Sequence, residues 1–283
     1  MLENMKDMLN KADSGKYAVP HFNINNLEWT RFILEECQEL KSPVILGVSE
    51  GAIKYMGGYK TVSNLVRSLI SDLNITIPVA LHLDHGSSYE SCVKAIDNGF
   101  TSVMIDASKY PLEENINITK QVVLYAKDKN VTVEAEVGAV GGEEDGVANE
   151  LAYAKVEDAT KLVSETNIDF LAPALGSVHG IYKGEPKLDF ERMIKIHELV
   201  KLPLVLHGGS GIPDELIKKA ISCGICKINI NTELQIAWSK DVRKYLAENN
   251  VVYDPRKVIK SGEMAMKEMI KEKIILFGSN GKA

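Results

Sequence analysis

"ITIPVALHLDHGSS", residues 75–88, is an apolar run that ends in His82, Asp84 and His85 before the chain bends at Gly86. Consecutive apolar residues bounded by turn formers read as a strand buried on both faces, the habit of parallel sheets covered by helices. Seven similar runs accompany it: "YAVPHFNI" (17–24), "SPVILGVS" (42–49), "TSVMIDAS" (101–108), "VTVEAEVG" (131–138), "DFLAPALG" (169–176), "LPLVLHGGSG" (202–211) and "CKINI" (226–230). Helical patterns such as "LEWTRFILEECQELK", "YKTVSNLVRSLISDL", "SYESCVKAIDNG" and "PDELIKKAISCG" lie between them. Gly or Asn often follows, as expected past a helix end. Eight strand-then-helix units in 283 residues predict an α/β fold, a closed (β/α)8 TIM barrel, with extra C-terminal helices from about residue 255. The rival is an open doubly wound sheet, which usually carries a Gly-rich fingerprint after its first strand; "FNINNLEW" has none. With no linker or low-complexity tract, residues 1–283 read as a single domain.

Composition narrows the function classes. The chain is 45% hydrophobic and 25% charged, enough to bury a large core and stay soluble. A net charge of −6 with no long basic run argues against nucleic acid as a partner. "MLENMKDMLNKADSGKY" has no apolar signal core, and no stretch is long enough to cross a bilayer, so a cytoplasmic location without membrane contact is expected. Four cysteines make no disulfide scaffold. "CGIC" (223–226) has CxxC spacing but no second pair, and ordinary buried thiols outweigh a redox or metal role there.

Barrel enzymes build their active sites at the C-terminal ends of the strands. There the third run offers Asp84 and His85, the fourth Asp106, and the fifth Glu134 and Glu136. The sixth leads to His179 and the seventh to His207. One polar residue at a strand end is commonly a turn former or cap. Three histidines on one rim are better explained by Zn²⁺ with an open coordination position. Three neutral ligands leave the ion its full charge as a Lewis acid. His82 shares a strand face with Asp84 and opposes His85, so it reads as a packed supporting residue; His21 and His197 read as packing or solvated. "HGGSGIPDELIKK" places glycines and Ser210 before a helix, either a phosphate cradle or a plain Gly-rich turn. "GAVGGEEDGVANE" (138–150) is expected to be a surface loop or a lid bringing Glu143 or Glu144 over the site.

"HLDHGSS", "SVMIDAS", "VEAEVGAVGGEEDG", "LAPALGSVHG", "LPLVLHGGSGIP" and "KININ" together resemble the metal-dependent (class II) fructose-bisphosphate aldolases, from "YAVPHFNINN" through "DPRK" to the terminal "FGS". The resemblance implies reversible cleavage of a ketose bisphosphate into dihydroxyacetone phosphate and an aldehyde phosphate. It implies His85, His179 and His207 as zinc ligands, and Asp106 and Glu136 as ligands of an alternative or second zinc position. By the same resemblance Asp84 handles the C4 hydroxyl proton, and Glu144, on a mobile loop, handles the C3 proton. Gly180, Gly208, Gly209, Ser210, Asn229, Ile230, Asn231 and Thr232 match the phosphate and triose pocket, and Ser49 a contact to the aldehyde half. Members of the family often bind a monovalent cation (Na⁺ or K⁺) beside the phosphate. A homodimer or homotetramer acting in glycolysis is the matching expectation.

Fructose 1,6-bisphosphate is the expected substrate. The alternatives are tagatose 1,6-bisphosphate and the inositol-pathway 6-phospho-5-dehydro-2-deoxy-gluconate. Asn231 replaces the Asp of many fructose enzymes and the Ala of tagatose enzymes, whereas "SEGAIKYMGG" and "DPRK" lean toward fructose. A zinc hydrolase would commonly carry an H-x-H pair on the first strand, where "PHFNI" has one histidine. A non-catalytic relative would be expected to lose one of Asp84, His85, His179, His207 or Glu144, and all are present. Lys227 is the one lysine on a predicted barrel strand that could form a Schiff base, a mechanism the metal rim makes unnecessary.

Overall fold

A computed structural model describes residues 2–144, 147–182 and 184–283, the side chains of 143–149 lying outside the described residues. The strands are β1 (Val19–Asn23), β2 (Val44–Ser49), β3 (Val79–Gly86), β4 (Ser102–Ile105), β5 (Thr132–Val137), β6 (Gly141–Glu144), β7 (Val147–Asn149), β8 (Phe170–Pro173), β9 (Val178–His179), β10 (Leu204–Leu206) and β11 (Ile225–Ile230). Eight of them close a barrel in the order β1-β11-β10-β8-β5-β4-β3-β2, each pair parallel. The expected closed barrel is therefore observed, and the C-terminal tail forms helices Pro255–Lys260 and Glu263–Phe277.

Side-chain alternation divides each strand between two cores. Outward residues such as Leu81, Leu83, Val103, Val133 and Ile228 pack under the helices. Inward residues fill the barrel in layers. At the bottom, Val19, Ile45, Ala80, Phe170 and Val205 meet Met5 and, on the N-terminal helix Lys6–Gly15 that follows it, Met8, Leu9 and Ala12. That helix plugs the end of the barrel opposite the strand C-termini, a role its sequence did not announce. Above this apolar floor the inward residues become polar: His21, His82, Asp84, Glu134 and Lys227 are all fully buried.

Two local devices shape the interior. His21 reaches across to β2, where a Cβ on Gly47 would stand 1.7 Å from its Nε2, so only glycine leaves room for the ring. On β3, His85 has φ 49°, and the register with β4 shifts between Leu83 and Gly86. Regular alternation would turn His85 away from Asp84. The bulge swings it back over the mouth, as bulges beside active sites commonly do.

Residues 141–144 and 147–149 depart from the expected loop. β6 and β7 pair antiparallel, and β6 pairs parallel with β9 to form a separate three-stranded sheet. His179 therefore stands on this small sheet and not on a barrel strand. Gly208 permits the approach: its φ is 62°, and a Cβ there would lie 2.3 Å from the Val178 carbonyl oxygen.

Candidate active site

His85, His179 and His207 converge as expected, with ligand-capable atoms within 4.8 Å of one another. Their ring centroids are 5.1 Å apart for His85–His179, 4.6 Å for His85–His207 and 5.9 Å for His179–His207. Nδ1 of His207 lies 2.8 Å from Nε2 of His85. The second nitrogen of each of these two rings meets a carboxylate. His85 Nδ1 is 2.8 Å from Asp106 Oδ2, and His207 Nε2 is 2.9 Å from Glu134 Oε1. Burial, then the neighbouring His85, pushes the His207 pKa down to about 4. Burial, then His85 and His207, holds His179 well below the usual imidazole value. Imidazoles kept neutral offer lone pairs to a cation at physiological pH.

Asp106 and Glu136 form a second donor group with His85, again within 4.8 Å. Burial opposes charge on Asp106, but the hydrogen bonds from His85 and from Ser108 hold it below the carboxylate range. Burial and the Asp106 charge push Glu136 well above that range. Glu136 Oε1 accepts from the Val140 amide at 3.3 Å, whereas its buried Oε2 has no hydrogen-bond partner among the described residues. An orphaned buried oxygen beside an imidazole and a carboxylate is the donor chemistry of a divalent-metal site, so these residues fit one.

Asp84 is fully buried beneath the rim. Asn23 donates to Oδ2 at 2.8 Å, Asn229 donates to Oδ1 at 3.3 Å, and His21 Nε2 stands 3.5 Å away. Burial opposes its charge, yet the surrounding histidines, His21 first, hold its carboxyl well below the usual range. The result is a fixed, ionised acceptor at the floor of the mouth. Sequence reasoning missed Asn23. Its signal was parity: two residues beyond His21, it must face the interior.

A cavity of about 530 Å³ is lined by Asn23, the hydrogen-bond donor to Asp84, with Ser49, Tyr55, Asn231, Gln235 and Trp238 among others. Ser49 and Asn231 thus meet in one pocket. The Ser49 hydroxyl also accepts from Ala52 N at 3.2 Å, capping the next helix. Ser210 Oγ accepts from Asn231 N at 3.3 Å and Glu233 N at 3.4 Å, joining the Gly208–Gly209–Ser210 turn to the start of helix Thr232–Glu248. Ile230 differs from its neighbours: its side chain packs in the outer core, leaving only its backbone to the pocket. Gly180 follows His179 with φ 83°. The side chains of Glu143 and Glu144 lie outside the described residues, though β6 runs as far as Glu144 beside the strand that carries His179.

Other expectations are met quietly. His82 is packed, its Nδ1 2.9 Å from Ser102 Oγ. His197 sits on helix Phe190–Val200, 3.2 Å from Asp13. All four cysteines are free and buried. Lys227 is buried and ion-paired to Glu134 at 2.9 Å, not poised as a free amine. No helix among the described residues is long and apolar enough to cross a membrane.

A parallel barrel whose mouth carries a three-histidine cluster, a second carboxylate donor pair and a fixed buried aspartate defines a metal-dependent barrel enzyme. The sequence model described as "Fructose-bisphosphate aldolase class-II" matches residues 3–282, and the chain belongs to that family of lyases. A fructose-bisphosphate aldolase of Geobacillus stearothermophilus is 62% identical over 283 residues, covering 100% of this chain and 99% of that protein. One from Staphylococcus aureus is 58% identical with the same coverage. Among solved structures, the YdjI aldolase of Escherichia coli K12 superposes with a TM-score of 0.87 at 37% identity, covering 100% of both chains. A fructose-bisphosphate aldolase of Campylobacter jejuni gives a TM-score of 0.85 at 25% identity, covering 100% of this chain and 97% of the other.

Proposed function

We propose that this chain reversibly cleaves fructose 1,6-bisphosphate into dihydroxyacetone phosphate and glyceraldehyde 3-phosphate, the glycolytic step after which its family is named. The convergence of His85, His179 and His207 above the buried Asp84 carries the reading. Full-length identities of 58–62% to enzymes bearing that name support fructose over its tagatose and inositol-pathway alternatives.

Cleavage between C3 and C4 requires a base for the C4 hydroxyl and leaves a carbanion beside a carbonyl. His85, His179 and His207, with Asp106 and Glu136 as the alternative set, would hold a divalent ion, which would supply electrophilic stabilisation of that negative charge. Zn²⁺ suits the imidazole-rich donors. In this reading Asp84, ionised and held by Asn23 and Asn229, takes the C4 proton and returns it in condensation. Glu144 is the candidate for the proton at C3. The Ser210 turn and the helix start at Asn231–Thr232 offer backbone N–H groups to one phosphate, helped by the helix dipole. Ser49, which lines the adjoining cavity, contacts the other half of the substrate in the same reading. The same reading includes Na⁺ or K⁺ beside the phosphate, one domain, a homodimer or homotetramer, and a cytoplasmic location.

A coupled assay comparing fructose and tagatose bisphosphates, with and without chelator, tests this directly. Fructose turnover that chelator abolishes is expected. Preference for tagatose, or turnover indifferent to chelator, contradicts it.

A further inference from the structure

Glu134 and Lys227 stand at the barrel axis on β5 and β11, both with no solvent exposure. Lys227 Nζ donates to Glu134 Oε1 at 3.1 Å and Oε2 at 2.9 Å. Such a pair is not needed to fold a barrel. Replacing a buried ion pair by apolar residues of similar volume is often neutral or stabilising. The sequence could have continued the apolar floor laid by Phe170, Ala80 and Val205, and it did not.

The pair ends at His207. Its Nε2 is 2.9 Å from the same Oε1 that Lys227 holds. A carboxylate accepts and does not donate, so that nitrogen carries the hydrogen and Nδ1 keeps its lone pair. Nδ1 is the atom facing His85 Nε2 at 2.8 Å. On the other side of the cluster, Asp106 meets His85 Nδ1, so it is Nε2 that His85 turns toward the cluster. The two rings therefore present opposite nitrogens, each selected by its own carboxylate. The supports differ in kind: the Asp106 side chain is 22% exposed, whereas Glu134 is enclosed. An enclosed carboxylate needs a buried cation, and Lys227 supplies it. Lys227 also draws Oε2 away from His82 Nε2, which stands at 3.7 Å, and keeps Oε1 on His207.

We propose that Glu134 and Lys227 are a paired positioning device that fixes the tautomer and tilt of His207 and thereby sets the affinity for the divalent metal. The inference rests on the metal-site reading above. Carboxylates behind ligand histidines typically carry 10–100-fold in metal affinity, and a loss of that size is expected here.

The test uses the full chain stripped by dialysis against chelator, with Zn²⁺ affinity measured by competition against a chromophoric chelator and thermal midpoints measured without metal. The double variant Glu134→Leu/Lys227→Met removes both charges together and should fold with a near-native midpoint while binding Zn²⁺ 10–100-fold more weakly. A purely structural role would move the midpoint and leave the affinity of the folded protein alone. Glu134→Asp keeps the charge beside Lys227 but shortens its reach to His207. It should show the same direction of loss, and it decides the matter if the double variant does not fold. Native Zn²⁺ affinity in whichever folded variant is measured overturns this inference and leaves the metal reading standing. Absence of Zn²⁺ binding by the unaltered chain overturns both.

Discussion

Nε2 of His85 and Nδ1 of His207 face each other at 2.8 Å. Two imidazole lone pairs do not sit comfortably at that separation without a proton or a cation between them, and each ring's other nitrogen is already engaged by Asp106 or Glu134. Chelator dialysis should therefore abolish cleavage, and Zn²⁺ should restore it. His207→Ala should lose bound metal and turnover together, because one of three neutral donors is gone. Full turnover by protein verified as metal-free would show that the cluster serves another purpose.

Gly47 makes a separate prediction about stability. A methyl group there would stand 1.7 Å from His21 Nε2 in a fully buried layer. Overpacking of this kind costs about 1–3 kcal/mol. Gly47→Ala should lower the denaturant midpoint accordingly. Adding His21→Ala in the same chain should recover part of the loss, so that the double variant is less unstable than the two single changes summed. Strict additivity would mean that the ring and the glycine are not in conflict.

The barrel was legible because it is written in repeated units: eight apolar runs became the eight barrel strands, and helices follow them nearly where the periodicity placed them. The rim was legible because strand ends are where barrels keep chemistry. The features that escaped depend on geometry between units. Parity alone sends His85 away from Asp84, and a single left-handed residue, φ 49°, reverses that. His179 was expected just past the sixth barrel strand, and it lies there, but it hangs from a small sheet built from a stretch too Gly-rich and acidic to read as strands. The helix Lys6–Gly15 has its apolar residues at Met8, Leu9 and Ala12, and nothing local says that they close a barrel floor. Glu134 and Lys227 come from strands that are not neighbours, so their pairing had no signature along the chain.

That floor gives a further stability test. Leu9 is fully buried against the bottom layer, far in sequence from every rim residue. Leu9→Ala should cost about 2–5 kcal/mol by lost burial and a residual cavity. The folded variant should keep its kcat/KM at low temperature, since the opposite end of the barrel holds the site. An unchanged unfolding midpoint would mean that the helix does not plug the barrel.

Ser210 tests the phosphate reading. Its hydroxyl already accepts from the amides of Asn231 and Glu233. An aspartate would occupy those donors and repel a dianion, costing substrate affinity about two or more orders of magnitude. Ser210→Ala keeps the backbone donors without the charge and should be much milder. Equal KM values for the wild type and Ser210→Asp would place the phosphate elsewhere.

The last prediction divides the proton transfers between two acids. Asp84 is immobilised by Asn23 and Asn229 at the base of the mouth, one residue before the ligand-capable His85. Glu144 ends the strand that runs beside His179. If Asp84 serves the C4 hydroxyl, Asp84→Ala should remove C3–C4 cleavage while leaving hydrogen exchange at C3 of dihydroxyacetone phosphate largely intact, because that exchange never involves C4. If Glu144 serves C3, Glu144→Ala should slow both the exchange and the overall reaction. General acid–base groups contribute roughly 10²–10⁴-fold, so each loss lies well within measurement. Zinc content should stay near the wild-type level in both variants, which separates a missing proton carrier from a missing metal. Deuterium incorporation from solvent into dihydroxyacetone phosphate, followed by NMR with the two purified variants, reads the division directly. Loss of exchange in Asp84→Ala with exchange retained in Glu144→Ala would reverse the two roles.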